Sequence, residues 1–176
     1  MEFTGKNGIL SFKSLNRMDR KKNFFDFIGK LLPGYKGYVI REEKRNTDKK
    51  LRDELAKKVE NAKLIIIDFQ QELIKKNEIA ICQEWDLLRK LVDTLFSKIK
   101  YAAHGESSFF SEKQLKENEL DEIYNLDLIL VNNVEMVCKS IESYIQDSLN
   151  PKPINKMVRD IEVSLDNRNN YINTFK

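Results

Sequence analysis

The sequence predicts an all-α protein, an antiparallel four-helix bundle with a short extra N-terminal helix and a flexible leader. Three observations carry this. Charged residues fill 34% of the 176 positions while glycine numbers 6 and proline 3, which suits long helices better than the frequent turns of a strand-rich sandwich. Apolar residues recur at steps of three and four along four long stretches, the period of one helix face. Asparagine, glycine and proline stand at the ends of those stretches, where helices stop. A chain of this length is one domain by expectation and can bury a sizeable core.

Residues 1–18 are expected to be a mobile leader, because Gly5, Gly8, Ser11 and Ser14 fall there without periodicity. Residues 19–176 then form a single helical-bundle domain. Within residues 22–32, Phe24, Phe25, Phe27, Ile28, Leu31 and Leu32 make a broad apolar face bordered by Lys21, Lys22 and Lys30. A helix of about eleven residues does not persist alone in water, so this one is expected to dock on the bundle; a membrane interface is the competing surface.

The stretch "LLPGYKGY" follows and reads as a bend. Pro33, Gly34 and Gly37 take a structural part, since glycine permits positive φ or close approach to another helix. Tyr35 and Tyr38 have an apolar ring and a polar tip, which suits them to clasp the bend onto the bundle or to meet a partner.

The first long helix is expected over residues 38–76, with Leu51, Leu55, Val59, Ala62, Ile66, Phe69 and Leu73 as its stripe. Asn77 is the turn signal before a second helix over residues 78–103, striped by Trp85, Leu88, Val92, Leu95, Ile99 and Ala102 and closed by Gly105. The two form an antiparallel hairpin. After the loop "GESSFF" a third helix is expected over residues 118–149, with Leu120, Ile123, Leu130, Val134, Val137, Ile141 and Tyr144 on one face. Pro151 and Pro153 force a break, and Ile154, Val158, Ile161, Leu165, Ile172 and Phe175 trace the last helix. Short connections imply up-down-up-down order.

Several chemistries are disfavoured. A di-iron carboxylate bundle needs two Glu-x-x-His pairs, whereas the chain has one histidine, His104, with Tyr101 three residues before it. Two cysteines, Cys82 and Cys138, and one histidine make no recognisable zinc set, so no metal and no cofactor are expected. The cysteines lie among apolar residues as free thiols. His104 stands near Ser107 and Ser108 without a marked orienting partner or oxyanion site, and suits the last carbonyls of its helix better. No P-loop is present. The chain is expected to be non-enzymatic.

Asp127 falls on the third helix's core stripe, seven residues from Leu120 and from Val134. An unpaired buried carboxylate is costly. Asp127 is therefore expected to be structural, pairing with a base such as Lys100 or Arg89 or accepting a hydrogen bond from a tyrosine, unless it escapes to the bundle's edge.

The formal charge of +3 hides an asymmetry: residues 1–60 hold 16 basic and 9 acidic side chains, the remainder 15 and 19. A positive field of this kind favours anionic partners. No apolar run approaches the length of a membrane span, and residues 1–15 do not read as a signal peptide. A cytoplasmic, membrane-associable protein is expected.

The segments "LPGYKGYVIREEKRNTDKKLRDEL", "IKYAAHGESSFF" and "LDEIYNLDL" together resemble a bacterial family of helical proteins with a Pro-Gly-Tyr-x-Gly-Tyr bend, a charged helix with an Asp-x-x-Leu-Arg element, and an aromatic, glycine-containing loop before a Tyr-x-x-Asp helix. The resemblance covers roughly residues 29–149. It implies an all-helical fold, brings no established activity, and, through members encoded near stomatin/prohibitin-type membrane scaffolds, implies a membrane-associated assembly as context. His104 and Glu106 depart from the family's loop.

The function expected is that of a non-enzymatic binding or scaffold protein. It would present Tyr35, Tyr38, Arg41, Lys44, Arg45 and Lys49 to a protein partner or to an anionic membrane surface. The second expectation is nucleic-acid binding through Arg41, Lys44, Arg45, Lys49, Lys50 and Arg52, which salt would weaken steeply.

Overall fold

A computed structural model describes residues 28–29, 44–101, 115–147 and 149–175. Four helices run through them: α1 (Lys44–Lys75), α2 (Ile79–Tyr101), α3 (Glu117–Gln146) and α4 (Lys152–Asn173). Among the described residues there is no strand. The expected end of α1 and the start of α3 agree with these bounds to within two residues, while the expected end of α2 at residue 103 lies outside the described residues. The leader, the bend from Pro33 to Tyr38, Arg41, His104 and the loop 105–110 lie outside the described residues. Of the expected Phe-rich helix only Ile28 and Gly29 are described; both are helical, and Ile28 is fully buried as part of the core.

The end of α1 shows why residue 77 is asparagine. Its φ is +59°, in the left-handed region where asparagine is tolerated better than most residues. The Asn77 N–H donates to the Ile74 carbonyl at 3.0 Å and the Glu78 N–H to the Leu73 carbonyl at 2.9 Å. These are the paired bonds of a Schellman cap, which satisfy carbonyls that the helix end would otherwise leave open. At α3, the Lys116 N–H donates to the Glu119 carboxylate at 2.7 Å, and Glu117 and Glu119 place negative charge at the positive end of the helix. Pro151 and Pro153 stand at the start of α4, where proline's missing N–H costs nothing.

The core follows the predicted stripes, except that Leu120 and Tyr144 are only partly buried at its edge and Ala102 lies outside the described residues. Leu51, Leu55, Ile66, Trp85, Leu88, Leu95, Ile99, Ile123, Val134, Ile141, Ile154, Val158 and Ile161 are all buried together. Trp85 meets Phe69 edge to face, ring centroids 5.1 Å apart, an arrangement aromatic quadrupoles favour.

Pairs between helices fix their directions. Lys63–Asp93 at 2.9 Å and Lys100–Asp53 at 2.7 Å run α1 against α2. Asn133 to Ser164 at 3.0 Å, with Asp127 to Arg168, runs α3 against α4. Lys58 pairs with Glu135, ten residues after Asp48 on α1 and eight after Asp127 on α3, so α1 and α3 are parallel. Lys152–Glu84 at 3.3 Å and Lys98–Glu162 at 3.0 Å make α2 and α4 parallel too. Directions therefore alternate along the chain as expected. Around the bundle, however, the packed neighbours are α1/α2, α2/α4, α4/α3 and α3/α1, leaving α1/α4 and α2/α3 as the diagonals.

Candidate functional site

Two constellations bear on function: a buried ionic network beside the N-terminal turns of α1, and the exposed cations on those same turns. Both follow from one geometrical fact. Lys100, one residue before the last described residue of α2, pairs with Asp53, so the described part of α1 has nine further residues, 44–52, beyond that pair, about 13 Å at 1.5 Å per residue. On its other side, α3 and α4 still flank it.

The inward face of this extension continues the core stripe with polar residues. Lys44, Asp48, Leu51 and Leu55 follow at steps of four, three and four, and all are buried. Arg168 of α4 joins them across the core. Its Nε donates to Asp127 Oδ1 at 2.5 Å and its Nη2 lies 2.7 Å from Asp48 Oδ1. Asp48 also accepts from Arg52 Nε at 2.9 Å, and Arg52 Nη2 donates to Asn169 Oδ1 at 2.8 Å. Asp48, Asp127 and Arg168 are each 0% exposed. Burial pushes the Asp48 carboxyl up, but the charges of Arg168 and Arg52 and their hydrogen bonds outweigh it and hold the group below its ordinary value.

The network contains two carboxylates and two guanidiniums. A guanidinium does not give up its proton in a protein, and the carboxylates are already engaged, so the arrangement locks helices and offers no ready acid, base or nucleophile. Asp127 is fully buried and paired, and does not escape to the bundle's edge. Its partner is Arg168, not Lys100 or Arg89. Lys100 pairs with Asp53, and Arg89 with Asp86 at 2.8 Å. Arg168 lies seven residues after Ile161 and four before Ile172 on the α4 stripe, so the same spacing argument that singled out Asp127 marks Arg168 as a second charge on a core face.

Two of the expected surface residues need correction. Lys44 is only 3% exposed and Arg52 7%, because they lie on the inward side of α1, about three turns and one turn before Leu55 respectively. Neither belongs to an exposed binding face. Arg45, Lys49 and Lys50 are exposed, as a surface reading requires. Arg45 and Lys49 are one turn apart and stand on the same side of α1 as Asp53, which pairs with Lys100 of α2. Tyr35, Tyr38 and Arg41 lie outside the described residues, so the structure does not bring them to this face.

Charge is distributed unevenly among neighbours. Residues 115–147, which include α3, carry eight acidic and two basic side chains, and α3 lies beside α1. Lys58–Glu135 joins the two directly. On α2, hydrogen bonds from Lys90 and Arg89 hold Asp86 at about 2. Cys82 and Cys138 are free thiols. Burial, then the neighbouring Glu135 charge, raises Cys138 to about 11, and its Sγ lies 3.8 Å from the Lys58 carbonyl. Such a thiol is inert at neutral pH.

Among the described residues no group of three or more His, Cys, Asp and Glu side chains could hold a metal, and no helix is long and apolar enough to cross a membrane. No protein-family model, curated protein or solved structure matches the chain.

Proposed function

We infer that this protein is a non-enzymatic binding or scaffold protein that engages an acidic partner through the extended N-terminal turns of α1. One observation carries the reading: Arg45, Lys49 and Lys50 are exposed together on the first described turns of α1, so charge and access coincide. The ionic network beneath supports it, because a stiff helix end presents its side chains at a fixed spacing. Buried ion pairs of this kind hold structure and perform no proton transfer. The aromatic bend at Tyr35 and Tyr38, with Arg41 between it and α1, would extend the face in sequence. A membrane-associated assembly is the context that the sequence resemblance suggests.

Nucleic-acid binding is the less favoured reading, since burial of Lys44 and Arg52 removes two of the six cations it needs. The test is the triple variant Arg45→Glu, Lys49→Glu, Lys50→Glu. It should keep its melting temperature within about 6 °C, since exposed substitutions usually change stability by under ~0.5 kcal/mol each and each kcal/mol moves the midpoint by about 2–4 °C. It should also lose capture of the partner that wild-type protein retains after nuclease treatment. Unchanged capture removes this face from consideration. Capture that nuclease abolishes, or that falls steeply with salt in step with binding to bare duplex DNA, favours the nucleic-acid reading.

A further inference from the structure

We propose that Arg168, by holding Asp48 and Asp127 together, is the residue that decides which helices of this bundle are neighbours. Two helical hairpins, α1/α2 and α3/α4, can pack face to face in two ways. One sets α1 beside α4 and α2 beside α3, so that every neighbour is antiparallel and every helix dipole is opposed by the next. The protein adopts the other, with α1 beside α3 and α2 beside α4, and both of those pairs are parallel. Apolar stripes do not choose between the two orders, because burial of apolar surface is non-directional.

The ionic network does choose. Asp48 projects from α1 and Asp127 from α3, and adjacent nitrogens of one planar guanidinium reach both, at 2.7 and 2.5 Å. That is possible only if the two carboxylates approach each other closely. Neighbouring helices lie about 8–10 Å apart, axis to axis, and the diagonal of such a square is roughly 11–14 Å. Exchanging α3 with α4 would put α1 and α3 on the diagonal and draw the two carboxylates apart by several ångströms. One of them would then be buried without the guanidinium, which is the costly state for a charge. Arg52 donates to Asn169 of α4, but its ion pair with Asp48 is made within α1 and does not depend on which helix is the neighbour. A single polar residue that fixes the register or partner of a coiled coil acts by the same logic.

Spin-label distances test the proposal in full-length protein with Cys82→Ser and Cys138→Ser. One label pair, at Lys57→Cys and Lys139→Cys, spans a side of the bundle in the observed order. A second pair, at Lys57→Cys and Arg159→Cys, spans its diagonal. All three labelled positions are exposed. The otherwise wild-type chain should show one distance for each pair. The variant Arg168→Met with Asp127→Leu removes the bridge between helices and leaves the Asp48–Arg52 pair intact. It should stay helical and show two distances for each pair, the second set being that of the exchanged order, at a tenth or more of the population. If this variant does not fold, Arg168→Lys keeps the charge but not the fork and should show the same second population at a smaller amplitude. A single wild-type distance for both pairs, in whichever variant folds, overturns the proposal, since the surface pairs and loops alone would then specify the order.

Discussion

Replacing Arg168 with methionine should be among the most damaging single changes available to this protein, and the damage should depend on pH in a definite sense. Methionine nearly fills the volume, so the change creates little cavity; what it removes is the positive charge shared by two fully buried carboxylates. Removing one partner of a buried pair costs about 3–5 kcal/mol. For a chain of 176 residues, where each kcal/mol moves the melting temperature by about 2–4 °C, the fall should be roughly 6–20 °C. In wild-type protein Asp48 lies below its ordinary value. It therefore adds stability at neutral pH, and that contribution is lost as pH falls through the lowered value. Without Arg168 the largest lowering influence is gone, and burial should raise the Asp48 value above that of the unfolded chain. The carboxylate then costs stability at pH 7, and the cost fades as pH falls through the raised value. Urea unfolding of both proteins from pH 7 to pH 4 should show the gap between them narrowing. A gap under about 1 kcal/mol at pH 7 that stays constant with pH is what a solvent-screened surface pair would give, and it would refute the assignment of a desolvated network. Arg168→Met with Asp127→Leu should recover part of the loss, since an ion pair replaced on both sides is often near neutral.

Three further outcomes follow from the packing. Trp85→Ala removes a fully buried ring and its contact with Phe69 and should cost about 3–5 kcal/mol in urea unfolding. Wild-type emission from this one tryptophan should be blue-shifted relative to the unfolded chain. Asn77→Gly should be neutral to stabilising, and Asn77→Ala should cost roughly 1 kcal/mol, because φ is +59° there; thermal melts of the two variants give opposite signs if the cap is as described. Cys138, raised to about 11 from an ordinary 9.0, should react with a disulfide reagent at pH 8 roughly a hundredfold more slowly than an exposed thiol, in proportion to its thiolate fraction. An ordinary rate would place it outside the interface with α1.

The sequence by itself determined the helices and their buried faces. Steps of three and four leave little freedom: Leu51 to Leu73 on α1, Trp85 to Ile99 on α2 and Ile154 to Ile172 on α4 are buried as the period requires. Asn77 and Pro151 mark boundaries because backbone geometry acts within a few residues. Asp127 was legible as a structural carboxylate for the same reason, being a charge on an apolar stripe. The inward turns of Lys44, Asp48 and Arg52 were legible too in principle, since the α1 stripe extends back through them; their lysine and arginine content suggested a solvated face instead. Tertiary structure alone decided the rest. That Asp127 meets Arg168 rather than Lys100 or Arg89, and that α1 packs beside α3 rather than α4, depends on contacts between residues far apart in the chain. Periodicity records which side of a helix is buried and carries no information about which helix buries it.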